Sequence, residues 1–222
     1  YVDLHDALVH SCDVYFYTIG QRMGIDVMAE FGKDFGLGKA TGVELPSERA
    51  GIMPSTAWKQ KAKNEQWLPG ETISAAIGQG YVTVTPLQMA SLVGTVANNG
   101  VSYRPRLVQA VMDRTSGNLQ ELPAVPRGKI NAKPETFRVI KDALADVVTK
   151  GTATRAKSSM VTIGGKTGTA QVAALRTGPE ENIPKKFRDH AWFVAFAPVE
   201  SPKIAVAVLA EHMGHGGAAA AP

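Results

Sequence analysis

Two short stretches carry residue types that could do chemistry together. The first is Ser11-Cys12-Asp13, a hydroxyl and a carboxylate flanking a thiol at a predicted helix–helix junction. The second is Lys166-Thr167-Gly168-Thr169, which follows Gly164-Gly165 on a predicted strand. Glycines weaken a strand unless something must approach its backbone closely. A cation, two hydroxyls and a bare Gly in sequence suit an edge strand that receives an extended peptide. The Lys would contribute field, the hydroxyls would hold a carboxylate, and the Gly would leave the entry clear. The plainer readings are a Gly-rich bend with a solvated Lys, and an ordinary capping turn at Ser11. Ser11-x-Asp13 gains meaning only if a hydroxyl held at a helix end relays a proton. The spacing around Lys166, and the lack of a following helix, exclude a phosphate-binding loop.

The elements that must position these groups follow from caps and periodicity. Asp3, with Asp6 completing the cap, opens a helix carrying Leu4, Ala7, Leu8 and Cys12 at helical spacing. That helix is expected to end near Ser11, and a second, capped by Asp13, to run to Gly24. Asp26 is expected to cap a short helix bearing Val27, Phe31 and Phe35. Residues 37–54 read as loop with an extended piece at Val43-Glu44-Leu45, and residues 55–80 as a short helix from Ser55 followed by loop. The clearest helix starts at Thr85, with Pro86 in its first turn and Gln88 closing a capping box. Leu107 to Met112 and Asn118 to Leu122 flank Thr115-Ser116-Gly117 as a hairpin, and 123–133 reads as linker. Pro134 to Lys150 is a second strong helix. Strands are expected at Val161-Thr162-Ile163, through Lys166 to Gln171-Val172, at His190 to Pro198 and at Lys203 to Glu211. Residues 175–189 read as a mobile polar loop. Helices first and an antiparallel sheet last give an α+β fold, with 1–160 mainly helical and 161–222 holding the sheet.

The 222 residues are 44 % hydrophobic and 20 % charged, which suits a globular domain and excludes a disordered tail, a collagen repeat or a coiled coil. The net charge is +4, and its richest cluster, Lys59, Lys61 and Lys63, has Glu65 beside it; this is no nucleic-acid footprint. One cysteine excludes an internal disulfide. No stretch approaches a membrane span of about 20 apolar residues. Met23, Met28, Met89 and Met112 read as core filler. His212 and His215 with Glu211 do not make a metal site, because two His three apart in a Gly-rich tail lack ligand spacing. The chain reads as an interior piece of a longer protein, opening on Tyr1-Val2-Asp3 and closing on Ala218 to Pro222 as if a helix were starting.

Ser11-Cys12-Asp13 and Lys166-Thr167-Gly168, about 150 residues apart, stand in the order and spacing of the Ser-Asp-Asn and Lys-Thr-Gly motifs of penicillin-recognising enzymes. Ala76-Ile77-Gly78-Gln79-Gly80, Val84-Thr85-Pro86-Leu87-Gln88-Met89-Ala90 and Ala191-Trp192-Phe193-Val194-Ala195-Phe196-Ala197-Pro198 add to the match. Together they resemble the transpeptidase domain of a class B penicillin-binding protein of the rod-elongation type, over nearly the whole chain. The resemblance implies a penicillin-recognising transpeptidase/β-lactamase-like fold lacking its N-terminal part, so that 1–222 is the C-terminal portion of one transpeptidase domain.

It also implies acyl transfer. A Ser attacks the penultimate carbonyl of a peptide ending in D-Ala-D-Ala, and an amine of a neighbouring strand resolves the acyl-enzyme. Ser11 would pass a proton to the departing D-Ala, Lys166 would supply positive field, and Thr167 and Thr169 would hold the terminal carboxylate. Gly168 would keep the strand open, and the Thr169 N–H would form half of an oxyanion hole. No cofactor or metal is implied. The implied partners are the peptidoglycan stem peptide, β-lactams, a glycan polymerase and elongation-complex membrane proteins, but no nucleic acid. The implied location is the periplasmic face of the inner membrane, on an N-terminal anchor outside this chain. Gly216-Gly217 would border the substrate groove. Two departures stand out. No Ser is followed by Lys three positions later, which puts the nucleophile upstream of Tyr1 and leaves this fragment alone inactive. The family's second motif usually ends in Asn, whereas Asp13 cannot donate an amide hydrogen bond. Cys12 reads as a small buried hydrophobe. The alternatives are a non-catalytic β-lactam sensor and a serine β-lactamase, which would need a deacylating Glu that no loop here supplies.

Overall fold

The structure, a computed structural model, describes residues 2–172 and 183–222. Helix α1 (Leu4–His10) starts where the Asp3 carboxylate accepts the Asp6 N–H at 2.8 Å. It ends at Ser11, whose backbone turns left-handed at φ 53°, ψ 54°. Helix α2 (Asp13–Met23) follows at once; Cys12, not Asp13, holds the capping position, and Gly24 closes the helix. Gly24 also caps α3 (Ile25–Asp34). Asp26 is therefore not a cap. It reaches across to α4 (Thr56–Lys63) and accepts the Thr56 N–H and hydroxyl at 2.9 and 2.8 Å. Helix α3 buries Ile25 and Ala29, and leaves Val27 and Phe31 exposed.

Helix α5 (Pro69–Ala76) stands where the sequence reads as loop. Glu71 reaches back to the Leu68 N–H at 2.7 Å, half of a capping box. The same carboxylate takes the Lys59 ammonium at 2.5 Å. Lys59 is only 2 % exposed, with Glu65 at 3.4 Å as its second partner. The lysine cluster on α4 is thus not a uniformly solvated face: its first member is a buried, doubly paired tie between α4 and α5. Helix α2 crosses α5 where Gly20 meets Ala76; a Cβ on Gly20 would lie 2.5 Å from that of Ala76.

Helix α6 (Pro86–Ala97) has the expected capping box, with Thr85 and Gln88 exchanging bonds of 3.1 and 2.9 Å. Gln88 is itself buried, and its Nε2 donates to the Lys39 and Ala50 carbonyls at 2.8 and 2.7 Å. No strand forms at Val43-Glu44-Leu45. Strand β1 (Val101–Tyr103) pairs antiparallel with β4 (Pro126–Lys129), inside the stretch expected to be linker. Strands β2 (Ala110–Met112) and β3 (Leu119–Glu121) form the expected hairpin. Helix α7 (Pro134–Thr149) buries Phe137, Ala143, Leu144, Val147 and Val148.

Strands β5 (Gly164–Ala170), β6 (His190–Ala197) and β7 (Ile204–Ala210) form an antiparallel sheet in the order β5-β6-β7, leaving β5 at an edge. Val161-Thr162-Ile163 and Gln171-Val172 lie outside it. Alternation along β6 sends Ala191, Phe193 and Ala195 to one face, where they meet Val147, Val148, Ala153, Ala220 and Ala221. The other face sends Phe196 against Val93, Val96, Ala97 and Leu144. Helix α8 (Gly216–Ala219) lies on β6 and β5. The closing alanines are core residues, with Ala220 and Ala221 each 6 % exposed. The expected mobile loop at 175–189 falls largely outside the described residues; its described part holds a 3₁₀ turn at Lys185–Phe187. Met23 and Met112 are exposed rather than core filler, whereas Met28 and Met89 are half-buried. Among the described residues no helix is long and apolar enough to cross a membrane.

Candidate active site

Ser11 is placed by the end of α1. Ala7 and Val9 of that helix are fully buried. The Thr152 N–H bonds to the Val9 carbonyl at 3.4 Å, and a Cβ on Gly151 would come within 2.4 Å of the same oxygen. The end of α1 is thus clamped to the segment after α7. The Cys12 N–H closes the turn on the Ala7 carbonyl at 2.9 Å. A non-glycine residue in the left-handed region costs about 1–3 kcal/mol, a strain that concentrates at functional sites. Here it aims the Ser11 hydroxyl at β5, where the Lys166 ammonium donates to Ser11 Oγ. Lys166 also reaches the Thr167 carbonyl at 3.1 Å.

Burial pulls the Lys166 pKa from 10.5 down to about 8, and the negative charge of Asp13 works against that pull. Asp13 sits in the first turn of α2, exposed, at the positive end of the helix. An ammonium poised near pH 8 and bonded to a hydroxyl can pass a proton in either direction.

The edge strand carries the remaining groups. The Thr167 hydroxyl bonds to the Thr152 hydroxyl at 2.8 Å. The Thr169 carbonyl accepts from Gln79 Nε2 at 2.7 Å, and the Gln171 N–H donates to Gln79 Oε1 at 3.3 Å. Residues 167, 169 and 171 therefore turn their backbone groups away from β6, to the open edge. Gly168 has little room on its inner side: a Cβ there would lie 3.2 Å from that of Trp192, which would have to give by a few tenths of an ångström. Gly216 presses on the same place, since a Cβ on it would lie 2.4 Å from the Gly168 carbonyl and 2.3 Å from that of Trp192. Beside the edge opens a cavity of about 800 Å³, lined by Lys166, Gln79, Trp192, Met89 and Leu92 among others. Its size and apolar walls suit a ligand site.

The structure thus brings Ser11, Lys166, Thr167, Gly168 and Thr169 to one crevice, with Asp13 acting through charge. Gln79 and Thr152 also hold the strand, and no role for either was drawn from the sequence. Gly78-Gln79-Gly80 reads as the end of a loop, and a lone exposed Thr152 carries no signal. His212 bonds through Nδ1 with the Arg188 carbonyl at 3.1 Å, and its N–H donates to His190 Nδ1 at 2.9 Å; these contacts fasten the end of β7 to the start of β6.

A family model described as the penicillin binding protein transpeptidase domain matches residues 1–222. A peptidoglycan D,D-transpeptidase MrdA of Acinetobacter baumannii is 40 % identical over 99 % of this chain and 33 % of its own length. The crystal structure of Pseudomonas aeruginosa PBP2 in complex with WCK 5153 superposes with a TM-score of 0.82 at 35 % identity, covering 100 % of this chain and 47 % of that one. PBP2 of Helicobacter pylori, solved in complex with MreC, gives a TM-score of 0.79 at 32 % identity, over 95 % of this chain and 36 % of that one. The chain spans about a third of the length of the curated relative.

Proposed function

Because the chain belongs to the family of penicillin-binding protein transpeptidase domains, we propose that it supplies the proton relay and the substrate edge of a peptidoglycan D,D-transpeptidase. Its α+β fold is that of the family's solved transpeptidase structures. The reading rests most on one observation: a hydroxyl held in a strained turn contacts a half-buried ammonium beside an open strand edge. No Ser in the 222 residues has a Lys three positions on, so the nucleophile belongs to residues outside them, and 1–222 is the C-terminal portion of one transpeptidase domain. The nucleophilic Ser oxygen attacks the carbonyl of the penultimate D-Ala, the C–N bond breaks, and the leaving amine takes its proton through Ser11. Lys166 and the Thr167 and Thr169 hydroxyls hold the terminal carboxylate. The Thr169 N–H meets the developing oxyanion. β-Lactams enter as mimics of the same dipeptide. MreC-like scaffold proteins and a glycan polymerase are the partners, at the periplasmic face of an inner membrane, on an anchor outside these residues.

The complete protein, given a fluorescent penicillin, is expected to keep its label through a denaturing gel and release it over hours. It should also transfer a stem-peptide acyl group to an added amine. Rapid release of hydrolysed penicillin would make it a lactamase. Stable labelling without amine incorporation would make it a sensor.

A pH dependence follows from the electrostatics. Lys166 loses its proton as pH rises through about 8, so acylation by anionic penicillins should decline above that pH. Asp13→Asn removes the charge that sustains the protonated form. The Lys166 pKa then falls further, and the alkaline limb moves to lower pH. A rate–pH profile that stays in place, or moves to higher pH, would show that Asp13 does not act on Lys166 through charge.

A further inference from the structure

The primary amide of Gln79 does more than touch β5. It donates to the carbonyl of Thr169 and accepts from the N–H of Gln171, two residues on. That is the pattern one residue of a parallel neighbouring strand makes across residue 170. A side chain is thus imitating a peptide group on the edge where an extended ligand would pair. The outward carbonyl of Thr167 is covered by the Lys166 ammonium. In this state the outward carbonyls of Thr167 and Thr169 are both occupied by the protein's own donors. A ligand can meet the N–H of Thr169, but a ligand N–H finds the Thr169 carbonyl taken.

Gln79 stands where it can give way. It is half-buried between Gly78 and Gly80, both exposed and both left-handed, at φ 75° and 71°. A Cβ on Gly78 would meet nothing within 4 Å. The backbone of Gln79 is held by its N–H on the Ser74 carbonyl at 2.9 Å, but the space beside Gly78 is open, and Gln79 lines the cavity into which its side chain can swing.

Building on the transpeptidase reading, we propose that Gln79 is a specificity-determining residue, a resident stand-in for a ligand's own amide. A ligand with an N–H beside its reactive carbonyl exchanges that N–H for Gln79 on the Thr169 carbonyl. A ligand without one leaves Gln79 in place. The exchange discriminates by the difference between losing one neutral hydrogen bond and replacing it. The stand-in also keeps the open edge from pairing with other strands while no ligand is bound.

The test compares two probes on the complete protein: a penicillin with an acylamino side chain, and a carbapenem with a hydroxyethyl group in its place. Second-order acylation constants are measured for wild type, Gln79→Ala and Gln79→Glu. Neither variant can cap the Thr169 carbonyl. The Glu variant keeps the bulk of the side chain and an acceptor for the Gln171 N–H, which guards against misfolding. In both variants the penicillin-to-carbapenem ratio is expected to rise about five-fold, the worth of one neutral hydrogen bond. A ratio unchanged within two-fold, or a parallel fall for both probes, would make Gln79 a support of the strand and overturn the proposal. Failure of both probes to acylate the wild type would instead remove the transpeptidase reading, and this inference with it.

Discussion

Lys166→Ala in the complete protein is expected to lower the second-order constant of acylation by about 10²–10³-fold, the range for removing one preorganised electrostatic group from an acyl-transfer site. The ammonium touches the Ser11 hydroxyl and the Thr167 carbonyl at once, so its loss removes the field at the carboxylate end and unfastens the relay. Ser11→Ala should cost a similar factor. The double variant should be hardly worse than the poorer single one, because groups that act as a unit are not additive. Lys166→Arg separates the two roles: a guanidinium keeps the charge but cannot give up its proton at these pH values. It should retain binding of the ligand carboxylate and lose turnover. None of these changes should lower Tm much, since the ammonium is held against a desolvation penalty. Acylation of Lys166→Ala at the wild-type rate would take the residue out of the mechanism.

The second large effect is expected from a single methyl group. Gly216→Ala places a Cβ 2.3 Å from the Trp192 carbonyl and 2.4 Å from that of Gly168. Both obstacles are backbone inside the sheet, so neither can rotate away. Helix α8 must lift from β5 and β6, and Ala220 and Ala221 behind it leave the core. Overpacking of this kind costs about 2–3 kcal/mol, which for a domain of this size lowers Tm by about 5–10 °C. Acylation should fall as well, because Gly168 lies between two residues of the substrate edge. Gly70→Ala is the matched control: it adds the same methyl in α5, where nothing lies within 4 Å, and helix propensity favours it. Thermal melts of the pair decide the matter, and equal Tm values would mean that α8 does not press on the sheet as described.

How much of this was legible depended on whether the decisive contacts are local. Helix α6 could be read from its letters because Thr85, Pro86 and Gln88 state its start within four positions. Helix α5 could not: Leu68 offers no capping side chain, and Pro69-Gly70 has the look of a turn, so only Glu71 marked the entry. Strands β1 and β4 escaped because they are short and largely polar, with Pro126 and Gly128 in one of them. Lys59 read as one of three clustered lysines with Glu65 beside them, and only the fold brings Glu71 onto it. The crevice was legible at its two ends, Ser11 and Lys166, through their resemblance to paired motifs. Gln79 and Thr152 were not, because each works on backbone or hydroxyl groups distant in sequence, and no residue type announces such a contact.

Gln88 carries a consequence for how the neighbouring loop can vary. What it grips at Lys39 and Ala50 is a carbonyl oxygen, and every amino acid has one. Drift in the letters of that segment is thus largely invisible to the residue that holds it. The loop thus inherits part of its path from the helix beside it: the side chains at Lys39 and Ala50 can change without loosening that grip, whereas the left-handed Gly38, Gly42 and Gly51 are held to glycine by their own backbone.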